Sequence, residues 1–138
     1  MSAASPWSVA LRSVLLQPTD GIVGLVDDLL SLCRQHGLEL DWQAGRCRVR
    51  SFESDGEEWI DVPLRKSVFR AILARVAVLC NERMPNSTSL YGGQGEITVG
   101  ADPATVFRVA FANTPSEQRL ELTRIRTEAV GRDEGVSP

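Results

Sequence analysis

Apolar and polar residues alternate in two different rhythms along this chain, which divides it into helical and extended segments. Apolar residues recur every three or four positions over 6–16, 21–36 and 63–84, as they do along one face of an α-helix. Pro18, Gly37 and Pro85 end the three segments, because proline and glycine interrupt helices. The pattern therefore predicts two main helices, preceded by a shorter amphipathic helix.

Alternation at every second position predicts five to six short strands. It occurs over 38–43, 46–52, 59–62, 97–99, 106–111 and 120–124. The stretch from Asn86 to Gly95 is polar and rich in glycine, which is typical of a loop holding at most one brief strand. We expect an α+β fold, in which an antiparallel sheet of five to six strands is packed by two main helices as a PAS-like two-layer sandwich.

The length of 138 residues fits one folded domain. We expect residues 1–18 to form an N-terminal amphipathic helix or arm, residues 19–126 the α+β domain, and residues 127–138 a disordered polar tail. Turn residues separate the strands within the domain, notably Ala44-Gly45 and Ser54-Asp55-Gly56. The first of these turns predicts a hairpin between the first two strands.

Composition and charge narrow the range of partners and locations. The chain has 15 basic and 18 acidic residues, a net charge of -3, and no basic stripe of the kind that neutralises successive phosphates, so nucleic acid is an unexpected partner. No segment has the run of about 20 apolar residues that a membrane span needs, and the first residues lack a signal-peptide pattern. Three scattered cysteines fit a reducing compartment, so we expect a cytoplasmic protein without a transmembrane segment.

No catalytic constellation is recognisable. A P-loop needs a glycine-rich turn followed directly by lysine, whereas Lys66, the only lysine, follows no such turn, and the glycines at 92, 93 and 95 are followed by no lysine. His36 is the only histidine, and no serine or acid is spaced with it as in a hydrolase triad. We therefore expect a non-enzymatic protein that has no catalytic residues and no cofactor.

The cysteines and the histidine are candidate ligands of a zinc site. Cys33 and His36 are three residues apart on a predicted helix, and Cys47 and Cys80 would complete a four-ligand set. However, all three cysteines occupy apolar faces, where free cysteine packs as a small hydrophobic residue. We favour core packing and expect no metal.

A series of short motifs points to a family. In chain order they are Arg48-Val49-Arg50 before the Ser54-Asp55-Gly56 turn, Pro63-Leu64 at the start of the long helix, the glycine segment Tyr91 to Ile97, Phe107-Arg108-Val109-Ala110, the turn Asn113 to Arg119, and Leu122-Thr123-Arg124-Ile125. In this order and spacing, the segment from Gly21 to Ile125 resembles the non-catalytic domain that precedes the P-loop core in type II secretion and type IV pilus assembly ATPases of bacteria.

The resemblance implies a protein-interaction module, an adaptor or regulator of such a system. Its expected partner is a secretion or pilus ATPase, the inner-membrane platform of that motor, or another copy of the chain. In the family, arginines matching Arg108 and Arg124 lie near nucleotide bound by the following core. The turn before Arg124 lacks the family's glycine, so we expect ordinary cross-strand partners for both arginines.

Two sets of apolar residues are candidate binding surfaces. Trp7, Leu11, Val14 and Leu15 share one face of the first predicted helix, which either packs on its own fold or contacts a partner. As an alternative function, a small PAS-like sensor would hold a ligand between sheet and helices, lined by the aromatic residues Trp42, Trp59 and Phe111. Aromatic residues on strands more often belong to the core.

Overall fold

The computed structural model of this protein describes residues 6–16, 21–32, 37–51, 59–100 and 103–128, with side chains in the first range from Val9 onward. Some predictions concern residues outside these ranges. They are the turn Ser54-Asp55-Gly56, the proposed ligands Cys33 and His36, and most of the predicted tail, from residue 129 on.

Three α-helices form where the three- and four-residue spacing predicts them. They are α1 (Pro6–Leu16), α2 (Gly21–Leu32) and α3 (Lys66–Arg83). Arg65 is the N-cap of α3. Its backbone is extended (φ -72°, ψ 148°), because an N-cap residue lies outside the helix. Within the described residues, no helix has both the length and the apolar character needed to cross a membrane.

The described residues contain seven strands rather than the predicted five to six. They are β1 (Leu38–Gln43), β2 (Arg46–Ser51), β3 (Ile60–Val62), β4 (Thr88–Ser89), β5 (Gly92–Val99), β6 (Ala104–Asn113) and β7 (Gln118–Glu128). The extra pairing lies in the segment predicted to be a loop, where Gly92 and Gly93 have φ values of 147° and 145°. Residues with a side chain rarely adopt these positive φ values. The glycines that suggested a loop are therefore the residues that allow this segment to form a strand.

All seven strands join one antiparallel sheet in the order β3-β2-β1-β7-β6-β5-β4. The predicted hairpin at Ala44-Gly45 is confirmed, since Gln43 pairs with Arg46 across the two turn residues. Both turn residues have positive φ (54° and 79°), as a tight hairpin turn requires. A β-bulge interrupts the β6–β7 ladder between Val106 and Phe107.

The helices occupy one face of the sheet. α3 contacts five strands, α2 contacts α3, and α1 contacts α2. Side chains alternate accordingly on β1: Leu38 and Leu40 are fully buried in the core cluster, whereas Glu39 and Asp41 project to the opposite face. We call the face opposite the helices the outer face. The structure thus confirms a mixed α+β fold with an antiparallel sheet.

The two ends of the described chain correct the predicted boundaries. Leu11 and Leu15 of α1 are 0% and 2% exposed and belong to the main core cluster, so α1 is an integral part of the domain and not an arm beside it. At the other end, Thr127 and Glu128 pair with Thr105 and Ala104 as the last residues of β7. The predicted tail therefore starts at least two residues too early.

Candidate functional site

The apolar face of α1 is turned into the protein. Leu11 and Leu15 are buried, and Val14 is half-buried against the same core. Of the two alternatives for this face, the structure shows packing on its own fold for Leu11 and Leu15, so these two residues are not an exposed contact surface. Trp7 lies in α1, but its side chain is outside the described part of the chain.

The three aromatic candidates for a ligand pocket do not lie together. Phe111 is buried in the core cluster, and Trp42 packs against that cluster. Trp59 lies with Arg48 and Arg50 on the outer face, where the two guanidinium groups are 4.3 Å and 4.7 Å from the centre of its ring. A single pocket between sheet and helices therefore does not include all three.

A ladder of charged pairs covers the outer face at β1, β2 and β3. The shortest distances are 2.9 Å between Arg48 and Asp41, 2.6 Å between Arg50 and Glu39, and 2.7 Å between Arg46 and Asp61. Asp41 accepts from both Nε and Nη2 of Arg48, and this bidentate contact raises the pKa of the Arg48 guanidinium. Because neighbouring carboxylates occupy these arginines, this part of the sheet offers little free positive charge to a ligand.

Arg108 and Arg124 lie on adjacent strands with exposed side chains. Arg108 projects from the outer face, directly opposite Glu96 on β5 and Thr123 on β7. The predicted cross-strand partners are not seen, since neither arginine makes an ion pair or side-chain hydrogen bond with any described residue. Arg108 is thus available for contact with another molecule.

Strand β5 forms an open edge along most of its length. It pairs with β6 from Gly92 to Val99, whereas β4 covers it only at Gly92 and Gly93. From Gln94 to Val99, β5 therefore has one strand neighbour among the described residues. A strand edge of this kind presents unpaired N–H and C=O groups that can bind a further strand.

The side chain of Arg83 crosses this open edge. Arg83 is the last residue of α3, on the helical side, whereas Glu96 and Thr98 alternate with buried Ile97 and therefore project from the outer face. Arg83 Nε lies 3.2 Å from Glu96 Oε1, and Nη1 donates to the Thr98 hydroxyl. Nη2 lies 3.5 Å from Glu128 Oε2. We call Arg83 with these three partners the Arg83 strap.

The strap belongs to a larger group of charges at this end of the outer face. Arg126 also contacts the two carboxylates of the Arg83 strap. Its Nη2 lies 3.6 Å from Glu96 Oε1 and 3.0 Å from Glu128 Oε2. In the sheet register, Val106 lies between Thr98 and Arg126. Val106 is 0% exposed although it is not part of the main core cluster.

Clefts lie on both sides of the strap. One of about 270 Å³ is lined by Arg83, Met84, Ser87, Gln94, Gly95, Glu96 and Arg108. Two others, of about 400 Å³ and 250 Å³, border Leu79 and Ile97 on the helical side. The β5 edge is therefore flanked by space along its whole unpaired length.

The cysteines that the structure describes, Cys47 and Cys80, are buried. Burial raises the pKa of the Cys47 thiol to about 12 and that of the Cys80 thiol to about 11. A thiol needs to ionise to bind zinc or to act as a nucleophile. Within the described ranges, no three histidine, cysteine or acidic side chains lie close enough to hold a metal ion.

Comparisons with known proteins add no assignment. No protein-family model matches the sequence, and no curated protein matches it either. The site must therefore be judged from its own residues. Two features stand out: the exposed Arg108 on the outer face, and the open β5 edge crossed by Arg83.

Proposed function

We propose that this chain is a non-catalytic protein-interaction module related to the domain preceding the P-loop core of type II secretion and type IV pilus assembly ATPases. In this role it acts as an adaptor or regulator of such a system. The single observation that carries the proposal is the outer face: the three described helices all pack on the other side of the sheet. A sheet with one helical layer leaves its other face available for a protein partner.

The positions of the resemblance motifs support this proposal. Arg48-Val49-Arg50 lies within β2, Phe107-Arg108-Val109-Ala110 within β6, and Leu122-Thr123-Arg124-Ile125 within β7, while Pro63-Leu64 lies one residue before the start of α3. Three of the motifs therefore lie on strands, as expected for the proposed relationship. The PAS-like build is part of the same proposal.

Arg108 is the side chain on which the proposal is best tested. It is exposed at the middle of the outer face and has no ion-pair partner among the described residues. Replacing Arg108 by alanine removes the positive charge that an acidic partner surface would contact, without breaking an internal ion pair and without placing a carboxylate opposite Glu96. Arg12 on α1 is also exposed but lies in the helical layer, so Arg12→Ala is a matched control.

The experiment is affinity purification of the tagged full chain from its native cells, comparing wild type, Arg108→Ala and Arg12→Ala. We expect wild type and Arg12→Ala to recover a P-loop secretion or pilus ATPase, or its inner-membrane platform, and Arg108→Ala to recover at least tenfold less. Recovery of unrelated signalling proteins would instead favour a sensor. Equal recovery with both variants would show that Arg108 and the surrounding outer face are not the contact surface.

A further inference from the structure

The open part of β5 coincides with the place that Arg83 crosses. Natural proteins protect exposed strand edges with charged side chains or with a covering element, because such edges pair with other chains. Among the described residues, the side chain that crosses this edge is that of Arg83, and its contacts are with other side chains, Glu96, Thr98 and Glu128. Protection of this kind is removable, since ion pairs between partly exposed groups are weak and are screened by salt.

We propose that the β5 edge is a self-association surface that Arg83 holds closed. When Arg83 is released, two copies of the chain pair β5 to β5, antiparallel, and the two sheets become continuous. A pair of identical antiparallel strands is two-fold symmetric. The β5 edge of each copy is then covered by the other copy, so association through this edge ends at two chains. This inference concerns the chain itself and holds whether or not the protein works with a secretion motor.

The side chains of the edge suit a second copy. With Ile97 opposite Ile97 of the partner subunit, Glu96 of each copy lies opposite Thr98 of the other, because antiparallel partners keep a constant sum of residue numbers. Glu96 is the only charged residue from Gln94 to Val99, so this register places no like charges directly opposite each other.

The contacts of the strap can also re-form between the two copies. The released Arg83 of one copy starts beside its own Glu96 and Thr98, and in the paired sheet the partner's Thr98 and Glu96 lie directly across from these residues. The Arg83–Glu96 ion pair that is lost within one chain can therefore re-form between the two chains, as contacts do in domain swapping. The clefts beside Leu79 and Ile97 leave space for the side chains of the second copy.

The test is the molecular mass in solution, measured by light scattering after size-exclusion chromatography over a hundredfold range of concentration. We expect wild type to elute as one chain, and Arg83→Ala to shift towards the mass of two chains with a dissociation constant at least tenfold lower. Adding Thr98→Glu to Arg83→Ala should restore the single-chain mass, because in this register residue 98 of each copy lies opposite Glu96 of the other copy and the facing carboxylates repel. Arg12→Ala, which removes an exposed arginine in the helical layer away from the strap, is the control and should behave as wild type.

A second variant covers the case in which Arg83→Ala does not fold, as judged by circular dichroism. Glu96→Gln with Glu128→Gln keeps Arg83 but removes both carboxylates that hold it, and it should dimerise in the same way. The proposal is overturned if the folded strap variants remain single chains across the range, or if Arg12→Ala dimerises as strongly as they do. It is also overturned if wild type dimerises with the same dissociation constant as the strap variants.

Discussion

Gly92 on β5 and Phe111 on β6 lie so close together that a Cβ atom at position 92 would come within 2.7 Å of the Phe111 carbonyl oxygen. The backbone of Gly92 also has a φ of 147°, which L-residues with side chains rarely adopt. Two independent constraints therefore require glycine at the start of β5. This position decides whether the β4–β5 hairpin can form beside β6.

Replacing Gly92 by alanine should destabilise the protein by about 2 kcal/mol or more, from the combined strain and overlap with backbone atoms. Gly45→Ala is the matched control, because φ at Gly45 is 79° but no atom lies within 4 Å of an added Cβ. That variant carries the strain alone and should lose about 1 kcal/mol. Urea unfolding measures both losses. If both variants lost the same free energy of unfolding, the overlap of the new Cβ with the Phe111 backbone would be relieved without an energetic cost.

The burial of α1 gives a second prediction. Leu11→Ala should lower the free energy of unfolding by about 2–5 kcal/mol, because it empties a fully buried site. Leu16→Ala, five residues later on the same helix, removes a side chain that is 39% exposed and should change stability by about 0.5 kcal/mol or less. If both substitutions are neutral in urea unfolding, α1 is not packed in solution, and the N-terminal arm predicted from the sequence is the better description.

The elements with strong periodicity were predictable from the sequence. α3 and the strands β1, β6 and β7 each repeat apolar residues over several turns or pleats, and a repeat of that length has one interpretation. The alternation on β1 also predicts its faces: Leu38 and Leu40 are buried, and Glu39 projects from the outer face. The hairpin at Ala44-Gly45 follows from its turn residues.

What the sequence did not predict depends on contacts between distant residues. Gly92 and Gly93 suggest a loop until β6 is seen to lie beside them. For Trp59 the sequence suggests the core or a ligand pocket, because nothing in its neighbours along the chain indicates that Arg48 and Arg50 stack on it from the next strand. The sequence does not distinguish Arg83 from the other arginines. The direction of its side chain becomes evident only once the position of the β5 edge is known.

Two carboxylates on the outer face should contribute differently to stability. Asp41 is held by a bidentate contact with Arg48, and its side chain is 13% exposed, whereas Asp61 makes one contact with Arg46 and is 50% exposed. We expect Asp41→Asn to lower the urea midpoint measurably, because planar paired hydrogen bonds to a shielded carboxylate are the stronger kind. Asp61→Asn should leave the midpoint near that of wild type, since exposed ion pairs contribute little. If Asp61→Asn lowered the urea midpoint more than Asp41→Asn, the desolvation of Asp41 would cost more free energy than its contact with Arg48 provides.

The buried thiols predict how stability depends on alkaline pH. Burial raises the pKa of Cys80 from its ordinary value near 9 to about 11, and that of Cys47 from near 9 to about 12. The unfolded chain loses these protons near pH 9, whereas the folded chain keeps them until pH 11 or 12. The folded state therefore binds more protons in this range, and a stabilisation that is complete below pH 9 is lost as the pH rises towards 11 or 12.

Each buried thiol should steepen the fall in the free energy of unfolding by about 1.4 kcal/mol per pH unit above its unfolded pKa. Cys80→Ala removes one of these contributions. Although this variant starts less stable at pH 7, its stability should fall less steeply than that of wild type between pH 9 and pH 11. Urea unfolding at intervals of half a pH unit measures the two slopes. Parallel curves for the two proteins would mean that the Cys80 thiol ionises as easily in the folded chain as in the unfolded one.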